Sequence, residues 1–95
     1  MITKIAEYKI KEEELEKATH AIEEIVSKVN HNEPGTVYKA FRRGESLEFI
    51  HFMTFPDAAA ESMHASAEYT EKFARTLKPI CDIEPHFTDL TLIEE

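Results

Sequence analysis

The stretch Phe52 to Phe73, FMTFPDAAAESMHASAEYTEKF, holds a strand end, a break and a helix start in close succession. An apolar strand closes at Phe55 and Pro56-Asp57 interrupts it. A helix then opens behind Asp57, whose carboxylate suits an N-cap. That helix is expected from about Ala58 to His64, bending near Ser66 and resuming through Tyr69, Phe73 and Leu77 to about Lys78, before Pro79. Its first inward-facing polar group is His64. An imidazole there, beside an aromatic strand end, is placed to act as a base in an apolar pocket.

The pattern extends in both directions. Leu47 to Phe55 (LEFIHFMTF) is apolar on both parities, which predicts a central strand covered on both faces. Phe49, His51, Met53 and Phe55 share one parity, and Ile50 and Phe52 the other. Gly44-Glu45-Ser46 joins this strand as a hairpin to Thr36–Arg43, TVYKAFRR. Further upstream, HNEPG stops a helix spanning Lys11 to about Asn30, with Leu15, Ala18, Ile22, Ile25 and Val29 as its apolar stripe. Glu12, Glu13 and Glu14 favour its start electrostatically, and Lys28 and His31 its end, although no Ser, Thr or Asp caps the start. Residues 2–10, ITKIAEYKI, alternate as a strand, with Ile5 the exception. Residues 83–93, IEPHFTDLTLI, predict the last strand, Pro85 marking an edge or an early bulge.

The order β-α-β-β-α-β defines an α+β fold of the ferredoxin-like, split β-α-β kind. It predicts a four-stranded antiparallel sheet with both helices on one face, in a single domain over residues 1–95. The second apolar parity of the central strand then lacks a cover within the chain. A homodimer is the expected solution.

Bulk properties narrow the partners. The chain has 95 residues, 42% of them hydrophobic, and a net charge of −8. Its only adjacent basic pair is Arg42-Arg43, so neither nucleic acid nor an anionic membrane is expected to bind. A small apolar or aromatic molecule fits better. No run approaches the roughly 20 apolar residues of a membrane span, and MITKIAEYKI lacks the features of a signal peptide. Cys81 is alone, which precludes an intrachain disulfide and suits the cytoplasm.

Several short motifs together resemble the antibiotic biosynthesis monooxygenase family of small dimeric α+β barrels. They are Glu33-Pro34-Gly35 followed by Val37-Tyr38, then Phe55 and Asp57, Ala59 and Ala60 opening a helix, and finally His64, Ser66 and Phe73. The layout covers about Ile2 to Ile93. The resemblance implies homodimers whose sheets meet in a central barrel, with a ligand pocket between sheet and helices in each protomer. It implies, for some members, oxygenation of activated phenols, quinols or anthrone-like polyketides without metal or flavin; others degrade haem or act on small signalling molecules or quinones. Two departures stand out. Met53 occupies a place where the family often has Glu, and the chain has no Trp, on which the haem-degrading branch relies.

His64 is therefore the candidate catalytic base of a cofactor-independent monooxygenase, against the alternative of a ring that caps strand ends or bonds a backbone carbonyl. His51, Phe55, Tyr69 and Phe73 are the substrate-binding candidates, Tyr69 as a polar tip. His51 has a second reading as a hydrogen-bonded histidine in the dimer core, and His86 as a neighbour of His51 across the sheet. The separations of His51, His64 and His86 match no compact ligand motif, so no metal is expected. The remaining aromatics, Tyr8 and Tyr38 among them, read as core. A non-catalytic binding or sensing dimer on the same scaffold is the alternative function, motivated by Met53 in place of an acid.

Overall fold

The computed structural model describes residues 1–95. The chain runs β1 (Ile2–Ile10), α1 (Leu15–Asn32), β2 (Val37–Arg42), β3 (Glu48–Phe55), α2 (Ala58–Ser66), α3 (Glu68–Leu77) and β4 (Cys81–Leu90). Short 3-10 turns, Glu12–Glu14 and Lys78–Ile80, lead into α1 and β4. The strands form one antiparallel sheet in the order β2-β3-β1-β4, the ferredoxin-like layout expected from the sequence. β3 and β1 are central, as the two-sided apolar character of β3 requires.

Register fixes the two faces. Lys4, Ala6 and Tyr8 of β1 lie opposite Met53, His51 and Phe49 of β3, which in turn face Tyr38, Ala40 and Arg42 of β2. This parity packs under the helices. One cluster joins Tyr8, Ile10 and Phe49 to Ala18 and Ile22 of α1 and Leu77 of α3. A second joins Ala6, Tyr38, Met53 and Phe55 to Ile25 and Val29 of α1. The apolar stripe of α1 is therefore what holds the sheet's inner face dry.

The bend expected near Ser66 is a full break at Ala67, whose extended backbone (φ −64°, ψ 144°) separates α2 from α3. The Ser66 hydroxyl donates back to the Ser62 carbonyl at 3.1 Å, a local bond that competes with continuing the helix. β4 starts at Cys81 rather than Ile83 and ends at Leu90 rather than Ile93. It starts early because Cys81 pairs with Ile10, and its register shifts around Glu84-Pro85, which an edge strand tolerates. Leu90 already lies opposite Thr3, so little of β1 remains for Leu92 and Ile93 to pair with.

Asp57 caps α2 as expected, its Oδ1 accepting from the Ala60 N–H at 2.8 Å. Asp57→Ala should lower stability by about 1 kcal/mol. A shifted urea midpoint at unchanged slope would show it, and an unchanged midpoint would mean that water serves the helix start equally well.

The other sheet face carries Ile5, Ile50 and Phe52, half-buried, with Val37, Phe41, Ile83 and Leu90 exposed. Ile5, the exception to alternation in β1, belongs to this second apolar face. His86 also lies here, opposite Glu7, whereas His51 lies under the helices opposite Ala6. The expected approach of His86 to His51 is thus ruled out by register, since the sheet separates them. His51 is hydrogen-bonded, as its second reading has it, but register sets it on the helix-covered face and not on the open one.

Candidate active site

Between the sheet and α2–α3 lies a cavity of about 480 Å³. Its wall is mostly apolar: Ala6, Ile25, Met53, Phe55, Phe73 and Leu77 contribute from both layers. The polar groups are few. Tyr8, Tyr38, His51, His64 and Thr70 reach the wall, and Lys4 pairs with Glu61 beside it. Exposed Lys78, Glu84 and Phe87 mark where the cavity meets solvent. The Glu61 hydrogen bond holds the Lys4 ammonium above its ordinary range, so Lys4 is a fixed cation there.

His64 comes from the last turn of α2 and is buried. Its Nδ1 donates to Glu33 Oε2 at 2.9 Å. The Tyr69 hydroxyl donates to the same oxygen. Glu33 stands at the C-terminus of α1, where the chain turns through Pro34 and Gly35; Gly35 has a positive φ of +87°. That turn and the break at Ala67 bring the α1 end, His64 and Tyr69 together. The pairing settles the neutral tautomer: Nδ1 carries the hydrogen, so the Nε2 lone pair remains an acceptor. The ring lies against Phe55 and Tyr38, at centroid separations of 5.2 and 5.4 Å. A carboxylate-oriented imidazole in an apolar wall can take a proton and be stabilised as imidazolium.

His51 sits between two tyrosines. Its Nε2 is 2.8 Å from the Tyr8 hydroxyl and its Nδ1 2.6 Å from the Tyr38 hydroxyl. No carboxylate bonds to the ring, and burial lowers its pKa from 6.5 to about 4. Burial, chiefly, raises both tyrosines well above the ordinary phenol range. Tyr69 is raised to about 12, by desolvation first and then by its bond to Glu33. At neutral pH these groups are therefore uncharged hydrogen-bonding partners.

Of the residues singled out from the sequence, His64, His51, Phe55 and Phe73 line one cavity. Tyr69 does not line it; its hydroxyl is engaged by Glu33 behind His64. Glu33 and Tyr38 entered the sequence reading only within the motifs of the resemblance, with no role in the site, and Tyr8 read as core. A usable clue was there. Tyr8 and Tyr38 fall on the same inward parity as His51, and a buried hydroxyl needs a partner. The Thr70 hydroxyl also reaches the wall and has no partner within the protein.

No family model matches the chain, and no curated protein matches it. Solved structures share its fold closely. An antibiotic biosynthesis monooxygenase superposes with a TM-score of 0.89 at 21% identity, covering 99% of this chain and 100% of that one. A candidate antibiotic biosynthesis monooxygenase from Caulobacter crescentus CB15 gives 0.88 at 21% identity, over 98% of this chain and 90% of that one. Rv0793 from Mycobacterium tuberculosis gives 0.88 at 13% identity, over 99% and 96%. The chain thus has the fold of the antibiotic biosynthesis monooxygenases over nearly its whole length. At these identities the likeness concerns fold; chemistry has to be argued from the site.

Proposed function

We propose that this protein is a cofactor-independent monooxygenase acting on a small aromatic, quinol or polyketide-like molecule. The observation that carries the reading is His64 in the wall of an apolar cavity, held from behind by the Glu33 carboxylate. His64 Nε2 removes an acidic proton from the substrate, and Glu33 stabilises the imidazolium that forms. The resulting carbanion or phenolate is electron-rich and passes an electron to O2. For an anthrone the balance is complete: the methylene loses two hydrogens, one oxygen atom becomes the new carbonyl and the other leaves as water. Met53, Phe55 and Phe73 hold the ring system and keep bulk water from the intermediate. The fold shared with the monooxygenase structures supports the same reading.

Oxygen uptake with an anthrone and with a quinol, yielding quinone product, is the expected result. Saturable binding of the same compounds without oxygen uptake would instead support a binding or sensing role, for which Met53 in place of an acid on β3 is the motive.

The working form is a homodimer in the cytoplasm, the open sheet faces of two copies covering each other. Val37, Phe41, Ile83 and Leu90 on that face motivate it. Phe41→Glu should shift the protein from dimer to monomer in light scattering. A wild type that is monomeric at micromolar concentration would sink the dimer.

A further inference from the structure

The hydrogens of the Tyr8–His51–Tyr38 group do not balance internally. Neutral His51 brings one ring N–H, and each tyrosine brings one O–H. The two bonds that link them use two of these hydrogens, so one tyrosine O–H remains. The lengths favour one assignment. An O–H donor tends to make a shorter bond than an N–H donor. The 2.6 Å contact fits Tyr38 O–H donating to Nδ1, and the 2.8 Å contact then fits the Nε2–H donating to Tyr8. In this assignment the Tyr8 hydroxyl accepts, and no second protein group accepts its own hydrogen. Tyr8 is 3% exposed and lines the cavity. A buried donor of this kind is costly unless something in the cavity accepts from it.

We infer that the Tyr8 hydroxyl is the hydrogen-bond donor that orients the ligand, and that the cavity selects molecules carrying an acceptor oxygen, such as a ketone, on an apolar ring system. The inference rests on the cavity as the ligand site proposed above and adds the polarity of the ligand. Two of the wall's polar groups are complementary. His64 offers a lone pair and Tyr8 offers a hydrogen. A ligand that satisfies both bears an acidic hydrogen at one place and a carbonyl or phenolic oxygen at another. Tyr38 and His51 do not touch the ligand in this scheme; they are positioning residues that fix which way the Tyr8 hydrogen points.

The test uses two probes of nearly the same shape, 1-tetralone with a ketone oxygen and tetralin without one. Calorimetry on the wild type should favour the ketone by about threefold to tenfold, the worth of one net hydrogen bond. The bound ketone's C=O stretch should move to lower frequency. Tyr8→Phe should abolish both the preference and the shift while leaving tetralin affinity within about twofold, in protein whose circular dichroism matches the wild type. Tyr38→Phe should weaken the preference only in part, because Tyr8 is then free to donate inward to His51. A wild type that binds the two probes equally, or binds neither, overturns the inference without recourse to any variant. So does a carbonyl shift that survives Tyr8→Phe. If oxygen uptake nevertheless depends on His64, the proposed reaction stands and only the role of Tyr8 falls. Ketone preference in a protein that consumes no oxygen has the reverse meaning.

Discussion

Replacing His64 by alanine should slow oxygenation of an anthrone by about 10²- to 10⁴-fold, the usual worth of a positioned general base. The substitution removes the only imidazole in the wall that is oriented by a carboxylate. His51 cannot take over: both of its nitrogens are engaged, and burial keeps its pKa near 4. Substrate affinity should change far less, because most of the wall is untouched, so the loss falls on kcat rather than KM. Glu33→Gln should fall between wild type and His64→Ala, at roughly tenfold. The amide oxygen still accepts from Nδ1–H, but the charge that stabilises the imidazolium is gone. Removing His64 also takes a partner from a buried carboxylate whose Oε1 has none already, so His64→Ala should be less stable as well. Rates must therefore be compared on protein shown to be folded. Turnover within twofold of wild type in folded His64→Ala would take His64 out of the mechanism.

What the sequence made legible follows the range of its periodic signals. Alternation in residues 2–10 and the stripe from Leu15 to Val29 are local patterns, and both elements form where they were expected. Sheet order follows from the number and sequence of elements, because a split β-α-β arrangement leaves few alternatives. The start of β4 was missed because its early pairing, Cys81 with Ile10, depends on a partner distant in the chain. The site was legible in half. His64 stands out as a polar residue on an apolar helix face. Glu33 stands out only as part of a turn motif, and nothing local ties its carboxylate to His64. Only the tertiary fold reveals that the end of α1 and the end of α2 meet. The Tyr8–His51–Tyr38 bonds tie β1, β3 and β2 across the sheet, at sequence separations of 43 and 13, and no local pattern encodes that distance. Only the pairing register sets the three on one face.

Acidification should weaken this protein through His51 specifically. In the unfolded chain its imidazole titrates near 6.5, and in the folded chain at about 4. Between those values the unfolded state binds a proton that the native state refuses. Stability is therefore fully present above about pH 6.5 and is lost as the pH falls toward 4, by about 3 kcal/mol in all. The cause is burial, since His51 is 1% exposed with the Phe73 ring tilted against it and no carboxylate beside it. Acid acts on more than one group, so the wild type alone cannot isolate the effect. His51→Gln can, because the amide donates and accepts as the neutral imidazole does but does not titrate. Urea unfolding at pH 7, 5.5 and 4 should show the wild type losing about 3 kcal/mol more than the variant, with much of the difference present by pH 5.5. Parallel losses in the two proteins would mean that the folded ring accepts its proton at an ordinary pH. In that case both ring nitrogens would donate, both tyrosines would accept, and each would turn a hydrogen toward the cavity. The single outward donor at Tyr8 thus depends on His51 staying neutral, and the same titration that tests stability also tests the hydrogen-bond polarity of the site.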